Sequence, residues 1–179
     1  MASGDTLVYL TAANAMPESR GNPQGYPNTL VPFGLGFGIG FAPDTNSGAV
    51  WVTRLPKTAS LATGLTLKLL MGCDPVTADP GKTVKMEVSV GPLGGSAYYT
   101  LQTASGLGTA ATGSKTTPTT QSATAPKTYE FSIAILTANL GSGVAADAFA
   151  EVRVRRLGAD ATDTSSGREV LLGVSILDT

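Results

Sequence analysis

Apolar and polar residues alternate along nearly every strong segment of the chain, which is the pattern of a β-strand with one face on a core. In residues 84–90, for example, the charged Lys85 and Glu87 alternate with aliphatic side chains. The helical period is largely missing. The predicted strands are residues 7–11, 33–41, 49–53, 65–71, 84–90, 129–135, 149–155 and 170–177. This spacing predicts an all-β fold, a single antiparallel β-sandwich of jelly-roll type.

Residues 33–41 alternate a large apolar side chain with glycine. One face of such a strand packs heavily, and the other is almost bare backbone that a neighbouring side chain can approach closely. Glycine-rich runs also occur in phosphate-binding loops, but glycine at every second position matches neither the dinucleotide-binding fingerprint nor the Walker motif. The segment is therefore predicted to be a strand.

Two segments contain too many turn-forming residues for regular structure. Residues 12–30 contain three prolines and two glycines, and residues 103–127 are rich in Ser, Thr, Ala and Gly. We predict one domain, residues 1–179, with an extended N-terminal arm at 12–30 and a long loop at 103–127. Because both have few large apolar side chains, we expect at least one to be mobile in the free protein and ordered by a neighbouring subunit.

The composition of the 179-residue chain argues against catalysis, cofactors and nucleic-acid binding. There is no histidine, the commonest general base and transition-metal ligand. Cys73 is the single cysteine, so an intrachain disulfide or a cysteine metal cluster is impossible. Charged residues make up only 14% of the chain and the net charge is -1, which predicts no basic nucleic-acid surface. We expect no enzyme activity, no catalytic residues, and no cofactor.

The sequence shows neither a signal peptide nor a membrane helix. Its first residues have no basic region followed by an apolar one. Its longest apolar stretches, such as residues 30–42, are interrupted by Gly and Pro and are shorter than the roughly 20 residues that a spanning helix needs. We therefore expect a protein that does not enter a membrane.

Three acidic residues could supply oxygen ligands to calcium: Asp147, Asp160 and Asp163. They lack the spaced carboxylates and the terminal Glu of a calcium loop. Local turns that use the Asp side chains explain them, so no metal site is predicted.

The densest basic cluster is Arg153, Arg155 and Arg156. It is either a solvated strand face balanced by Glu151 and Glu169, or a set of ion-pairing groups for a partner subunit, where arginine geometry gives specificity. The candidate partner contacts are these three arginines together with Tyr26 and Pro27 of the arm.

Aromatic residues offer a possible platform for sugar stacking. Trp51, Tyr26 and the Tyr98–Tyr99 pair could form one, because such rings combine an apolar face with a polar group. The position of Trp51 between Val50 and Val52 in a predicted strand favours the core or its rim instead.

The chain resembles a group of tailed-bacteriophage virion proteins. The resemblance rests on the opening at 2–7 (ASGDTL), WVTRLP at 51–56, GLTL at 64–67, and an Asp-Thr turn at 163–164 before LLGV at 171–174. It implies a virion β-sandwich of the head decoration (cement) or fibre-associated type, and it carries over no catalytic residues.

These observations lead to two expectations about function. The first is a structural virion protein, a head decoration or cement protein that binds the major capsid protein and stabilises the shell. The alternative is a receptor- or glycan-binding module of a phage fibre or tail. We expect synthesis in the host cytoplasm, a place in the virion with the head surface favoured, and a homo-oligomer, with a trimer favoured over a dimer.

Overall fold

The computed structural model describes residues 5–17, 29–33, 36–74, 79–93, 108–119 and 127–179. These residues form eleven strands and two 3-10 turns, at Ala12–Asn14 and Thr137–Asn139. The strands are β1 (Thr6–Thr11), β2 (Met16–Pro17), β3 (Thr29–Phe33), β4 (Gly36–Phe41), β5 (Asn46–Arg54), β6 (Leu65–Cys73), β7 (Thr83–Pro92), β8 (Ala111–Thr116), β9 (Thr128–Ile135), β10 (Phe149–Leu157) and β11 (Glu169–Asp178).

Two antiparallel sheets make up the fold. The six-stranded sheet has the order β3-β4-β11-β6-β9. In addition, β1 pairs with the part of β11 that follows the residues paired with β4. The five-stranded sheet has the order β2-β5-β10-β7-β8. The eight strands from β4 to β11 form the two four-stranded blocks β4-β11-β6-β9 and β5-β10-β7-β8, the arrangement of a jelly roll. The predicted all-β, antiparallel, jelly-roll-like sandwich is confirmed.

The alternation in the sequence produces the core. In β9, inward positions from Tyr129 to Ile135 are buried while the side chains between them are exposed. In β6, Leu65, Leu67, Leu69 and Met71 are fully buried between the sheets. These two strands therefore cover the core with one face, while their other face points away from it.

The glycine-rich segment 33–41 is a hairpin rather than the one continuous strand that was predicted. Phe33 ends β3 and pairs with Gly36, which begins β4. Within β4, Ile39 and Phe41 are buried. A Cβ at Gly38 would overlap with the side chain of Val170, so glycine at this outward position allows a side chain to lie on the backbone, as predicted.

Parts of the two segments predicted to be irregular are regular. In the predicted arm, Ala12–Asn14 form a 3-10 turn, Met16–Pro17 pair with β5, and β3 begins at Thr29. In the predicted loop at 103–127, β8 pairs along its whole length with β7. The strand β8 was not predicted because its sequence is polar. An edge strand with little burial needs few apolar side chains.

The described residues contain no helix long and apolar enough to cross a membrane. The same part of the chain contains no group of three or more His, Cys, Asp or Glu side chains that could hold a metal ion.

Candidate functional site

The structure places the three arginines of the predicted partner-contact set on different faces of β10. Tyr26 and Pro27 lie outside the described residues. Arg153 and Arg155 lie on the outer face of the five-stranded sheet and are largely covered, with ion-pair distances to Glu87 of 3.4 and 3.6 Å. Their contact with a partner stays a prediction. Arg156 points to the opposite side, into the protein, so the prediction that it contacts a partner is wrong.

Arg156 is fully buried and forms a two-pronged ion pair with Asp163. Its Nε donates to Oδ2 at 2.9 Å and its Nη2 donates to Oδ1 at 2.8 Å. The remaining donors reach the main-chain oxygens of Ser165, Gly167 and Phe41 at 2.5, 2.7 and 3.5 Å. Every donor is therefore directed at the connection between β10 and β11 or at the end of β4, and Arg156 fixes this end of the sandwich.

Glu169 is also buried and does not balance a surface arginine, as one interpretation of the sequence had it. Its carboxyl group accepts hydrogen bonds from Cys73 Sγ at 3.1 Å, Tyr129 Oη at 2.8 Å and Ser165 Oγ at 3.0 Å. Burial raises the pKa of Glu169 above its usual range, and the three donors and Arg156 oppose that shift. The cluster joins β6, β9 and β11, and its side chains are buried.

The acidic residues considered as calcium ligands bind within the protein instead. Asp163 is occupied by Arg156 and by the main-chain N–H groups of Lys85 and Ser165. Asp160 receives Lys85 Nζ at 2.7 Å, and this hydrogen bond, followed by those from Thr162, lowers the pKa of Asp160. Asp147 pairs with Arg54 at 3.1 Å. The structure gives these carboxylates turn and ion-pair roles.

The predicted aromatic platform does not form around Trp51. Its side chain is 1% exposed, and its Nε1 donates to the main-chain oxygen of Thr11 at 2.9 Å, so it belongs to the core. Tyr26, Tyr98 and Tyr99 lie outside the described residues.

A different aromatic residue, Tyr9, lies on the outer face of the six-stranded sheet. A Cβ placed on Gly173 would lie 2.7 Å from Tyr9 Cζ and 3.1 Å from Cε2, so the phenol end of the ring covers the bare backbone of Gly173. The side chain is still 54% exposed. Glycine at 173 therefore allows Tyr9 to lie against the sheet and present ring surface to solvent.

A row of polar residues continues from Tyr9 across the same face. Tyr9 pairs with Ser175, Ser175 with Lys68, and Lys68 with Ser132, so the four lie side by side on β1, β11, β6 and β9. Adjacent strands are about 4.8 Å apart, which makes the row roughly 14 Å long. Lys68 Nζ lies 2.7 Å from a carboxylate oxygen of Glu130. The row therefore begins with the exposed ring of Tyr9 and continues with hydroxyl, ammonium and carboxylate groups.

The row ends in a groove of about 400 Å³ between β9 and β8. Its lining residues are Lys68, Gly113, Ser114, Lys115, Glu130, Phe131 and Ser132. The volume is within the range of small-molecule sites. We define the candidate binding face as Tyr9, Ser175, Lys68, Ser132 and Glu130 together with this groove.

The sequence contains only part of the signal for this face. Tyr9 lies in a run of mostly apolar residues, Leu7 to Leu10, which shows no clear outward position. The ring is recognised as exposed only when Gly173, distant in sequence, is known to lie beneath it. Glycine in a strand is a sequence signal for close approach, but it does not identify the side chain that approaches.

Comparisons with known proteins add little to this description. No protein-family model and no curated protein matches the chain. Among solved structures, the chain is similar to a family 11 carbohydrate-binding module from Clostridium thermocellum in complex with a β-1,3-1,4-mixed-linked tetrasaccharide. That match has 13% identity, a TM-score of 0.45, and coverage of 99% of this chain and 97% of the other.

A second similar structure is the family 11 module of the Clostridium thermocellum cellulosomal cellulase Lic26A-Cel5E. The identity is 12%, the TM-score is 0.41, and the match covers 97% of this chain and 87% of the other. Similarities with scores this low support no conclusion about fold or function. The conclusions about both are therefore drawn from the geometry described above.

Proposed function

We propose that the protein is a non-catalytic module that binds a glycan on the outer face of its six-stranded sheet. The observation that carries the proposal is the position of Tyr9, an exposed ring lying on Gly173 at the head of a row of hydroxyl and charged groups. A sugar ring presents apolar C–H groups on its faces and hydroxyl groups at its edges. An exposed aromatic ring next to polar side chains complements both.

The dimensions of the face fit an extended ligand. A row of about 14 Å provides contact positions on four strands, and strands of a sheet hold these positions at fixed spacing. The four strands of the polar row are paired with one another, so the backbone positions of its residues are fixed before the ligand arrives. Such preorganisation reduces the entropy lost on binding.

The buried charged cluster does not compete with this assignment. Arg156, Asp163 and Glu169 are saturated by partners inside the protein and lie away from the outer face of the six-stranded sheet. They support the fold rather than chemistry at a surface.

The test uses two exposed aromatic residues on opposite sheets. Tyr9 and Phe149 have matched exposures, 54% and 55%, and Phe149 lies on the five-stranded sheet beside Arg54. Wild-type protein, Tyr9→Ala and Phe149→Ala are applied to a glycan array. We expect the wild type and Phe149→Ala to retain the same glycans and Tyr9→Ala to lose them. Equal binding by the two variants would contradict the proposal, as would an array that retains none of the three proteins.

The predicted place in a phage particle is a separate question. A glycan-binding face suits the fibre or tail alternative, while the head decoration role, its major capsid protein partner and the homo-oligomer stay predictions. Incubation with expanded capsids that lack the protein tests the head role, and sedimentation tests the oligomer. Retention on capsids by both wild type and Tyr9→Ala would favour the head surface as the main site of action.

A further inference from the structure

The groove between β8 and β9 carries more positive than negative charge. Lys68 and Lys115 line it against the single carboxylate of Glu130. Lys68 already pairs with Glu130 at 2.7 Å, whereas Lys115 forms no ion pair within the described part of the chain. The groove therefore contains two ammonium groups and one carboxylate, so one positive charge is not balanced within the groove.

The strand geometry places Lys115 at this groove. Lys115 pairs with Val84, whose side chain is fully buried, so Lys115 occupies the face of β8 that is turned towards the interior of the sandwich. Gly113 lies on the same face, and a Cβ there would come within 2.9 Å of Ile133 Cγ1 on β9. β8 thus approaches β9 closely at Gly113. Lys115 is the next residue on this face, two positions after Gly113, and it is exposed at the margin of the groove.

We infer that the groove binds an anionic substituent of the glycan, a carboxylate or a sulfate, with Lys115 as the main contact and Lys68 and the hydroxyl of Ser132 beside it. This inference rests on the proposed glycan-binding function. An ammonium group and hydroxyl donors together hold an anion by charge-assisted hydrogen bonds, which are stronger than those to neutral groups. A neutral glycan reaches Tyr9 and the polar row but leaves the charge of Lys115 without a partner.

Lys115→Gln tests the inference, because it removes the charge and keeps a polar side chain of similar length. Lys57→Gln is the matched control, since Lys57 is exposed in the connection between β5 and β6 and does not line the groove. Both variants and the wild type are tested on an array of neutral, uronic-acid and sulfated glycans. Acidic glycans that bind are also tested after carboxyl reduction or desulfation.

We expect the wild type and Lys57→Gln to prefer acidic glycans, and Lys115→Gln to bind them about tenfold more weakly, the effect of losing one charge-assisted hydrogen bond. Reduction or desulfation should weaken the wild type by a similar factor, and the array arms show which anion is preferred. Binding of neutral and acidic glycans with equal affinity, still lost in Tyr9→Ala, would overturn this inference and leave the proposed function standing. If no glycan binds, both fail.

Discussion

Replacing Arg156 by Met tests the structural role that the sequence did not reveal. The methionine keeps much of the apolar bulk but removes the guanidinium group. Asp163 then remains with its charge in a site where its side chain has no exposure to solvent, although two main-chain N–H groups still reach it. The main-chain oxygens of Ser165 and Gly167 also lose their donor.

The expected loss of stability follows from that arrangement. Removing one partner of a buried ion pair costs about 3–5 kcal/mol, mainly because the other charge stays buried. For a domain of this size, each kcal/mol lowers the melting temperature by roughly 2–4 °C. Arg156→Met should therefore melt about 6–20 °C below the wild type, by combining these two ranges.

Denaturant unfolding followed by tryptophan fluorescence provides the assay, because Trp51 lies in the core. Arg54→Met is the control: the Arg54–Asp147 pair is more than half exposed on both sides, so its loss should cost less than about 1 kcal/mol. In Arg156→Met with Asp163→Asn, part of the lost stability should return as the buried charge disappears. Equal small losses in Arg156→Met and Arg54→Met would refute the reasoning.

Three further results are expected. Burial raises the pKa of Glu169 in the folded protein. The contribution of Glu169 to stability is therefore full below the usual glutamate pKa and is lost as the pH rises through the raised pKa. Glu169→Gln should flatten this part of a stability–pH profile. Gly173→Ala should leave the fold intact in circular dichroism but displace Tyr9 and weaken glycan retention. Gly64→Ala should cost at least about 2 kcal/mol in denaturant unfolding, because φ is +102° and the new Cβ would overlap with Ile135 O.

Local pattern was sufficient for the fold where each strand alternates cleanly. In β9, in β6 as far as Met71 and in β7 as far as Val88, the period of two alone assigns the buried side chains, because each strand has one face on the core. β8 was missed because its polar sequence lies at an edge, where burial demands little of the side chains.

The inward position of Arg156 follows from the alternation of β10. Val152 and Val154 are buried, and Arg156 continues their phase along β10 to the inner face. Its charge made it look like a surface residue. Only the return of the chain to Asp163, which supplies the counter-charge, makes burial possible.

The candidate binding face could not be derived from local pattern, because it depends on contacts between distant strands. Tyr9 and Gly173 are brought together by the pairing of β1 with β11, and Lys115 reaches the groove because β8 meets β9 across the edges of two sheets. Neither of these contacts can be recognised from residues that are close together in the sequence.

A titration followed by amide NMR shifts tests whether the outer face of the six-stranded sheet binds the glycan. A glycan retained on the array is added to isotope-labelled protein. We expect the largest shifts at Tyr9, Ser175, Lys68 and Ser132, with little change around Phe149. Shifts concentrated on the five-stranded sheet around Phe149, with Tyr9 and its row unchanged, would contradict this expectation.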